Sequence, residues 1–547
     1  MRFPRSVSLL AAALLSACAN TAPNPEPQPL SPSASLTLMP PAGGAWHRGA
    51  VFYEVFVRSF QDSNGDGVGD LPGLTSRLDY LRDLGVDALW LMPVFASPSY
   101  HGYDVTDYER IQPDYGTLAD FQTLCDEAHR RGLRVILDLV INHTSAQHPW
   151  FVDSAASPTA AHRDWYVWRD RNLGWNQPWS PYASDPTWHP LNGAYFYGVF
   201  WSGMPDLNLA TPAVRDEVKR LASLWLSRGA DGFRLDAARY LIETGGGPGQ
   251  SDTPQTHAFW KEFAAHVHAV KPDAVLVGEN WSDTPVIATY YGDTAQVPGG
   301  DELSLNFNFP LSERLIAALG SGDASGIAGK LVDMTARYPA GVADAPFLTN
   351  HDMVRLATQL QGDSVKLGTA AALLLTLPGA PFLYYGEEVG LANGAGNNDE
   401  AKRTPMPWDT STGGGFTTGT PWYGFSTGRE TANVAAQRGV TSSLLSRYQA
   451  LLRARHASAA LTAGGLTLLT PPNGASPTLA YVRFSGEEQV LVVHNLSGAL
   501  VTSGPFAVPG DTAEPLFTDR DVPVPTGGSG NWRVRLPAHS TGIWRLR

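Results

Sequence analysis

The stretch RVILDLVIN, Arg134–Asn142, decides the fold. In an extended chain successive side chains face opposite sides, so a strand written this way is apolar on both faces. Such strands belong in a parallel sheet covered by helices. Working outward, apolar runs recur at VFYEVFV (Val51–Val57), VDALWLMPV (Val86–Val94), DGFRLDA (Asp231–Ala237), AVLVGEN (Ala274–Asn280), LSLNFNF (Leu303–Phe309), APFLTNHD (Ala345–Asp352) and APFLYYGEE (Ala380–Glu388). Between them lie helix-period segments such as LTSRLDYLRDLG, TLADFQTLCDEAHRRG and VRDEVKRLASLWLSRG. Eight β/α steps predict an α/β chain built on a (β/α)₈ TIM barrel, whose site must lie at the C-terminal strand ends.

One connection is too long for a simple loop. Residues 144–205 hold seven of the sixteen tryptophans, Trp150, Trp165, Trp168, Trp175, Trp179, Trp188 and Trp201, and are expected to form a small inserted domain after the third strand. Most of these rings should build that domain's core. The barrel is accordingly assigned to 46–143 and 206–458. From 459 to 547 alternating strands and turns, ending in WRVRLPAHSTGIWRLR, predict a C-terminal antiparallel β-sandwich.

The N-terminus reads as an export signal. Arg2 and Arg5 precede an apolar run too short to span a membrane, which ends in Leu15-Ser16-Ala17-Cys18. That ending resembles the bacterial lipobox, which implies a signal over 1–18, a lipidated Cys18 and an exported protein anchored to a membrane. Residues 19–45 are rich in Pro, Ser and Ala and are expected to form a tether, with folded structure beginning near Trp46. Cys125 is expected to be a buried apolar residue, so no disulfide framework exists in the mature chain.

With 547 residues, 43% hydrophobic and 17% charged, the chain can bury several cores, and its formal charge of −13 argues against nucleic acid as a partner. The charge says nothing about a neutral sugar. No obligate protein partner is evident.

Polar groups gather at the strand ends. Period two places Arg234 and Asp236 on one face, where the guanidinium is expected to keep Asp236 ionised as a nucleophile. Glu279 ends an apolar strand, where desolvation should raise its pKa toward that of a general acid. His351 and Asp352 end another, and DLVINH adds Asp138, Asn142 and His143. Two such carboxylates about 5 Å apart across a sugar linkage would give retaining glycoside hydrolysis.

DLVINH, GFRLDAARY, GENW and FLTNHD resemble the four signature segments of the α-amylase family of glycoside hydrolases, in order and spacing, and MPDLN (Met204–Asn208) resembles its fifth. The resemblance implies that Asp236 is the nucleophile, Glu279 the general acid/base and Asp352 the carboxylate that grips the distorted ring. It implies sugar-binding roles for His143, Arg234 and His351, and a stacking role for Tyr103. Asp399 and Arg403, in NNDEAKRTPMPW, resemble an Asp and Arg that complete the subsite.

The knot DSNGDGVGD sets Asp62, Asn64, Asp66 and Asp70 at positions 1, 3, 5 and 9, with the Val68 carbonyl at 7, the oxygen spacing of an EF-hand-like loop. Hard oxygens favour Ca²⁺, although Gly73 stands where the bidentate glutamate would be. Relatives in the oligo-1,6-glucosidase branch hold calcium in this loop, which implies a structural ion. A second calcium site known in the family is not expected: Asn142 and Asp206 match two ligands, but Tyr240 replaces a histidine.

Exo-acting relatives carry an aspartate at the position of Tyr100, so the resemblance implies an open cleft and endo action. Ala237 fits α-1,4 rather than α-1,6 cleavage. The expected substrate is an α-glucan: starch, maltodextrins, and cyclodextrins or pullulan as further candidates, with some transglycosylation. Two alternatives stand beside this, an exo-acting α-glucosidase or 4-α-glucanotransferase, and a non-catalytic glucan-binding lipoprotein.

Overall fold

The computed structural model describes residues 37–41, 44–179, 185–470 and 474–547. Cys18, the signal and most of the expected tether lie outside the described residues.

Seven parallel strands run side by side in the order Leu305–Asn306, Val275–Gly278, Gly232–Leu235, Arg134–Leu139, Ala88–Leu91, Phe52–Val55 and Phe382–Tyr384. Phe307 bridges Ala345 and Phe347 bridges Phe382, both parallel, so the segment 345–347 closes the ring as its eighth stave. Proline at 346 supplies no N–H, and this stave is reduced to single bridges. The expected (β/α)₈ barrel is the observed one.

Alternation divides the strands into two packing layers. Phe52, Ala88, Trp90, Ile136, Val275, Val277, Leu305, Phe307, Phe347 and Phe382 form one cluster, the barrel interior. Tyr53, Leu89, Leu91, Val135 and Leu137, one residue out of phase, join the larger cluster beneath the helices. At the upper end the inner layer turns polar: Glu54 pairs in register with Trp90, and Asp138 with Arg234. All four are buried. Helix starts are set by local chemistry; Thr117 and Asp120 form a capping box on Leu118–Arg130, worth about 1 kcal/mol. Cys125 on that helix is buried and unpaired, and burial pushes its thiol pKa up.

Within 144–205 the strands Trp168–Arg169, Ala194–Tyr197 and Trp188–Leu191 make a small antiparallel sheet. Trp188 is buried against Tyr197 and Trp175, whereas Trp179 and Trp201 are exposed. The C-terminal region packs a large antiparallel sheet against a two-stranded one around Trp532, Trp544, Leu491 and Val493. One expectation is corrected here: the tether does not extend to residue 45, because Thr37–Leu38 adds an antiparallel strand to Gly465–Leu468 of the C-terminal sheet.

Candidate active site

Asp236 follows the strand Gly232–Leu235, Glu279 follows Val275–Gly278, and Asp352 follows the stave 345–347. All three therefore open at the C-terminal mouth, where a barrel carries its chemistry. Arg234 ties the first two together. Its side chain is fully buried; Nη1 donates to Asp236 Oδ1 at 2.7 Å and to both Asp138 oxygens at 3.0 Å, while Nη2 lies 2.9 Å from Glu279 Oε2. The same Glu279 oxygen accepts from the Ala237 N–H at 3.0 Å. Ala237 takes φ of +51°, the tight turn that swings Asp236 into the mouth and one that a β-branched residue would adopt only with strain.

Asp352 is reached from the other side. Arg403 Nη2 donates to its Oδ1 at 2.9 Å, and His351 Nε2 lies 3.2 Å from its Oδ2. Tyr103, its ring stacked on His351, places its hydroxyl 2.7 Å from that Nε2 and donates to Asp138 Oδ2 at 3.0 Å. His143 is buried, and Nε2 faces the Tyr103 carbonyl at 3.0 Å. Burial lowers its pKa to about 4, so it is neutral and donates from Nε2.

Thus Asp236, Glu279, Asp352, Tyr103, His143, Arg234, His351 and Arg403 converge. Asp399 does not join them: its side chain is half exposed, and it accepts from Lys402 Nζ at 2.8 Å. Lys402 in turn donates to the Asp352 carbonyl at 2.8 Å, so the hydrogen bonds of Asp399 reach the site through that lysine. Glu54, Trp90 and Lys402 are site components that the sequence reading passed over. The available signal for Glu54 was a single acid inside an apolar strand, at an inward position.

Five carboxylates, Glu54, Asp138, Asp236, Glu279 and Asp352, share the cations Arg234, Arg403 and His351. Burial dominates where one guanidinium must serve several acids. It raises Glu279 to about 7, with Arg234 opposing and Asp236 adding to the rise. It also raises Asp236 to about 6, with the Arg234 guanidinium limiting the rise without cancelling it, so the acid is ionised above that pH. At Asp352 burial again favours the neutral form, but His351 and Arg403 outweigh it and leave the acid well below the usual carboxylate range.

At the second-calcium position Asn142 Nδ2 donates directly to Asp206 Oδ2 at 3.2 Å, and burial raises Asp206 strongly. Tyr240 packs edge-on against Trp179 instead of offering a nitrogen.

In the 62–70 loop the oxygens are of the type that suits calcium, but among the described residues no three His, Cys, Asp or Glu side chains are placed so that they could hold a metal ion. Asp62 accepts from the N–H groups of Asn64, Gly65 and Gly67 and from the Thr417 hydroxyl. Asp70 accepts from Ser63 and from Gly73 N, capping the helix Leu71–Ser76. Asn64 and Asp66 are exposed and accept from the N–H two residues on. Gly67, at φ +92°, lies so close to Thr420 that a Cβ would fall 1.9 Å from its carbonyl oxygen.

A pair of carboxylates and a third acid at the mouth of a (β/α)₈ barrel, bridged by one buried guanidinium, define the class: a barrel glycoside hydrolase. Residues 54–464 match the family model for the α-amylase catalytic domain. The chain is 40% identical to "Alpha-amylase 3" of Dictyoglomus thermophilum, over 83% of this chain and 85% of that protein. It is 36% identical to "Trehalose synthase/amylase TreS" of Mycolicibacterium smegmatis, over 84% and 85% of the two chains. The crystal structure of the α-amylase from H. orenii superposes with a TM-score of 0.80 at 36% identity, covering 91% of this chain and 99% of that one. The chain belongs to the α-amylase family of glycoside hydrolases and glycosyl transferases.

Proposed function

We propose that this protein is an endo-acting, retaining hydrolase of α-1,4-glucosidic bonds in starch and maltodextrins, with cyclodextrins and pullulan as further candidate substrates. Asp236 attacks the anomeric carbon while Glu279 gives its proton to the departing glucosidic oxygen, leaving a glycosyl ester on Asp236. Glu279, now ionised, takes a proton from water; the water oxygen attacks the same carbon and Asp236 departs. Asp352 and Arg403 hold the ring hydroxyls as positive charge develops, and Tyr103 stacks beneath.

Tyr100 carries the endo reading. Its ring stacks on Trp422 at 5.5 Å, and its hydroxyl accepts from Arg403 Nη1 at 3.3 Å. Exo-acting relatives carry an aspartate at this position, and a phenol stacked on Trp422 supplies no such acid to close a pocket around a chain end. The trehalose synthase/amylase relative favours a second reading, α-glucosyl transfer, in which a sugar hydroxyl replaces water at the same glycosyl ester. A time-resolved digest of maltoheptaose separates them. Endo hydrolysis gives a spread of maltooligosaccharides from the first minutes. Glucose alone at early times defeats endo action, trehalose or products longer than the substrate support transfer, and no product at all defeats the glycosidase reading.

We further propose a structural Ca²⁺ on Asp62, Asn64, Asp66, Asp70 and the Val68 carbonyl. Supporting it are the ligand spacing and the exposure of Asn64 and Asp66, which can turn inward while the backbone holds Asp62 and Asp70. The loop is tied to the segment bearing Trp422, since Trp422 N donates to the Gly67 carbonyl at 2.9 Å. Millimolar Ca²⁺ should therefore raise the melting temperature, by about 2.7 kcal/mol in stability at a hundredfold excess over Kd, and Asp66→Ala should abolish the shift. An unchanged melting curve with and without EGTA removes the ion from the account. Finally, we propose export and anchoring through Cys18, supported by the Arg2/Arg5 segment and the small residues before the cysteine. Cys18→Ser should move the protein from the membrane to the soluble fraction.

A further inference from the structure

The inner layer of the barrel places one acid with no assigned task against the site. Glu54 sits in the first strand, 1% exposed, with Tyr384 beside it in register and Trp90 on its other flank. Its Oε1 lies 2.6 Å from His351 Nδ1. A carboxylate can only accept, so Nδ1 carries a proton. At the opposite end of the ring, Nε2 faces Asp352 Oδ2 and the Tyr103 hydroxyl. That hydroxyl already spends its own proton on Asp138 Oδ2, so Nε2 carries a proton as well. The partners on both sides therefore require an imidazolium.

We propose that Glu54 is a positioning residue of the reaction: its buried carboxylate fixes the orientation and double protonation of His351, so that a cationic Nε2–H is aimed at Asp352 and the sugar it grips. The inference rests on the glycosidase reading above and adds a residue to it. The groups around the imidazole agree. Asp352 and Glu54 favour the cation from two elements, Asp138 approaches from the third strand, and Tyr103 covers the face. Arg403, whose Nε donates to the His351 carbonyl at 3.1 Å, and Arg234, 3.4 Å from the Tyr103 hydroxyl, are the opposing charges. Burial favours the neutral ring, yet the two carboxylates prevail and raise His351 to about 9.

The consequence is a division of labour. An imidazolium beside Asp352 keeps that acid ionised at the pH where Glu279 still carries its proton, so two acids in one pocket hold opposite states. With a neutral amide in place of Glu54, His351 should lose its proton near neutrality and the Nε2 donor would no longer be guaranteed.

Two measurements test this. In ¹⁵N-histidine NMR of the whole protein, with the His351 signal assigned by its loss in His351→Gln, the imidazolium pattern should persist to above pH 8. In Glu54→Gln it should titrate about one pH unit or more lower. In kinetics on maltoheptaose, Glu54→Gln should lower kcat about tenfold or more with KM little changed, because it disturbs a group used in the transition state, and Glu54→Asp should restore part of the loss. A wild-type His351 that titrates below pH 7 overturns the proposal whether or not any variant folds. So does a folded Glu54→Gln with unchanged kcat and unchanged His351 titration. A wild type inactive on every α-glucan would instead defeat the glycosidase reading, and leave the His351 titration as an independent result.

Discussion

Asp236→Asn is expected to eliminate turnover of maltoheptaose, with a loss of about 10⁴-fold or more, because an amide can neither attack the anomeric carbon nor leave it. Glu279→Gln should behave differently. General acid assistance contributes about 10²–10⁴-fold, and only where the leaving group needs a proton. Its kcat on maltoheptaose should therefore fall within that range, while cleavage of an α-glucosyl fluoride, whose leaving group needs little help, should largely survive as formation of the glycosyl ester. Both variants should remain folded, since each substitution keeps the shape, Asp236→Asn removes a charge from a pocket already rich in acids, and Glu279→Gln replaces a protonated acid by a neutral amide. The pH profile ties the assignment to the environment. Asp236, raised to about 6, must be ionised, so activity falls as pH drops through that value. Glu279, raised to about 7, must be protonated, so activity falls as pH rises through that value. A narrow bell between these limbs is expected, and Glu279→Gln should lose the alkaline one. An alkaline limb unchanged in Glu279→Gln would show that another group is the acid.

Legibility followed how local the determining interaction is. The barrel could be read because apolar-on-both-faces strands such as Arg134–Leu139 state their burial in their own composition. Asp236 and Glu279 could be read because each ends such a strand together with other polar strand ends, in segments that resemble the family's signatures. Glu54 lies within its strand, and nothing local says that an inward acid there meets His351 rather than solvent. Thr37–Leu38 looked like tether because its flanks are rich in Pro and Ser; its pairing is decided by the free edge of Leu466–Thr467, some 430 residues away in the chain. The resemblance of NNDEAKRTPMPW to the family implies that Asp399 completes the subsite with Arg403. On the short 3₁₀ turn Asp399–Lys402, however, a three-residue step stacks it over Lys402, and the acid takes the nearer cation.

Arg234→Met should be the most destabilising single change in the barrel. The side chain makes no contact with solvent and is the shared counter-ion of Asp138, Asp236 and Glu279. Methionine fills similar volume, so the cost is electrostatic: acids buried in a low-dielectric layer lose their cation. Breaking a buried pair by removing one partner costs about 3–5 kcal/mol, and here three partners are orphaned at once. The loss should depend on pH in a definite direction. Without the guanidinium all three acids rise further in the folded state, so folding takes up protons that the unfolded chain, with ordinary carboxylates, does not hold near neutrality. Stability of the variant must then fall as pH rises. Its deficit relative to wild type should be largest above pH 7, where the acids are forced to ionise side by side, and should shrink toward pH 5, where protonation removes their mutual repulsion. Denaturant melts of both proteins at pH 5 and pH 8 measure this difference. A deficit that is equal at the two pH values, or larger at pH 5, would mean that Arg234 acts through packing and not as the cation around which the acids of the site are assembled.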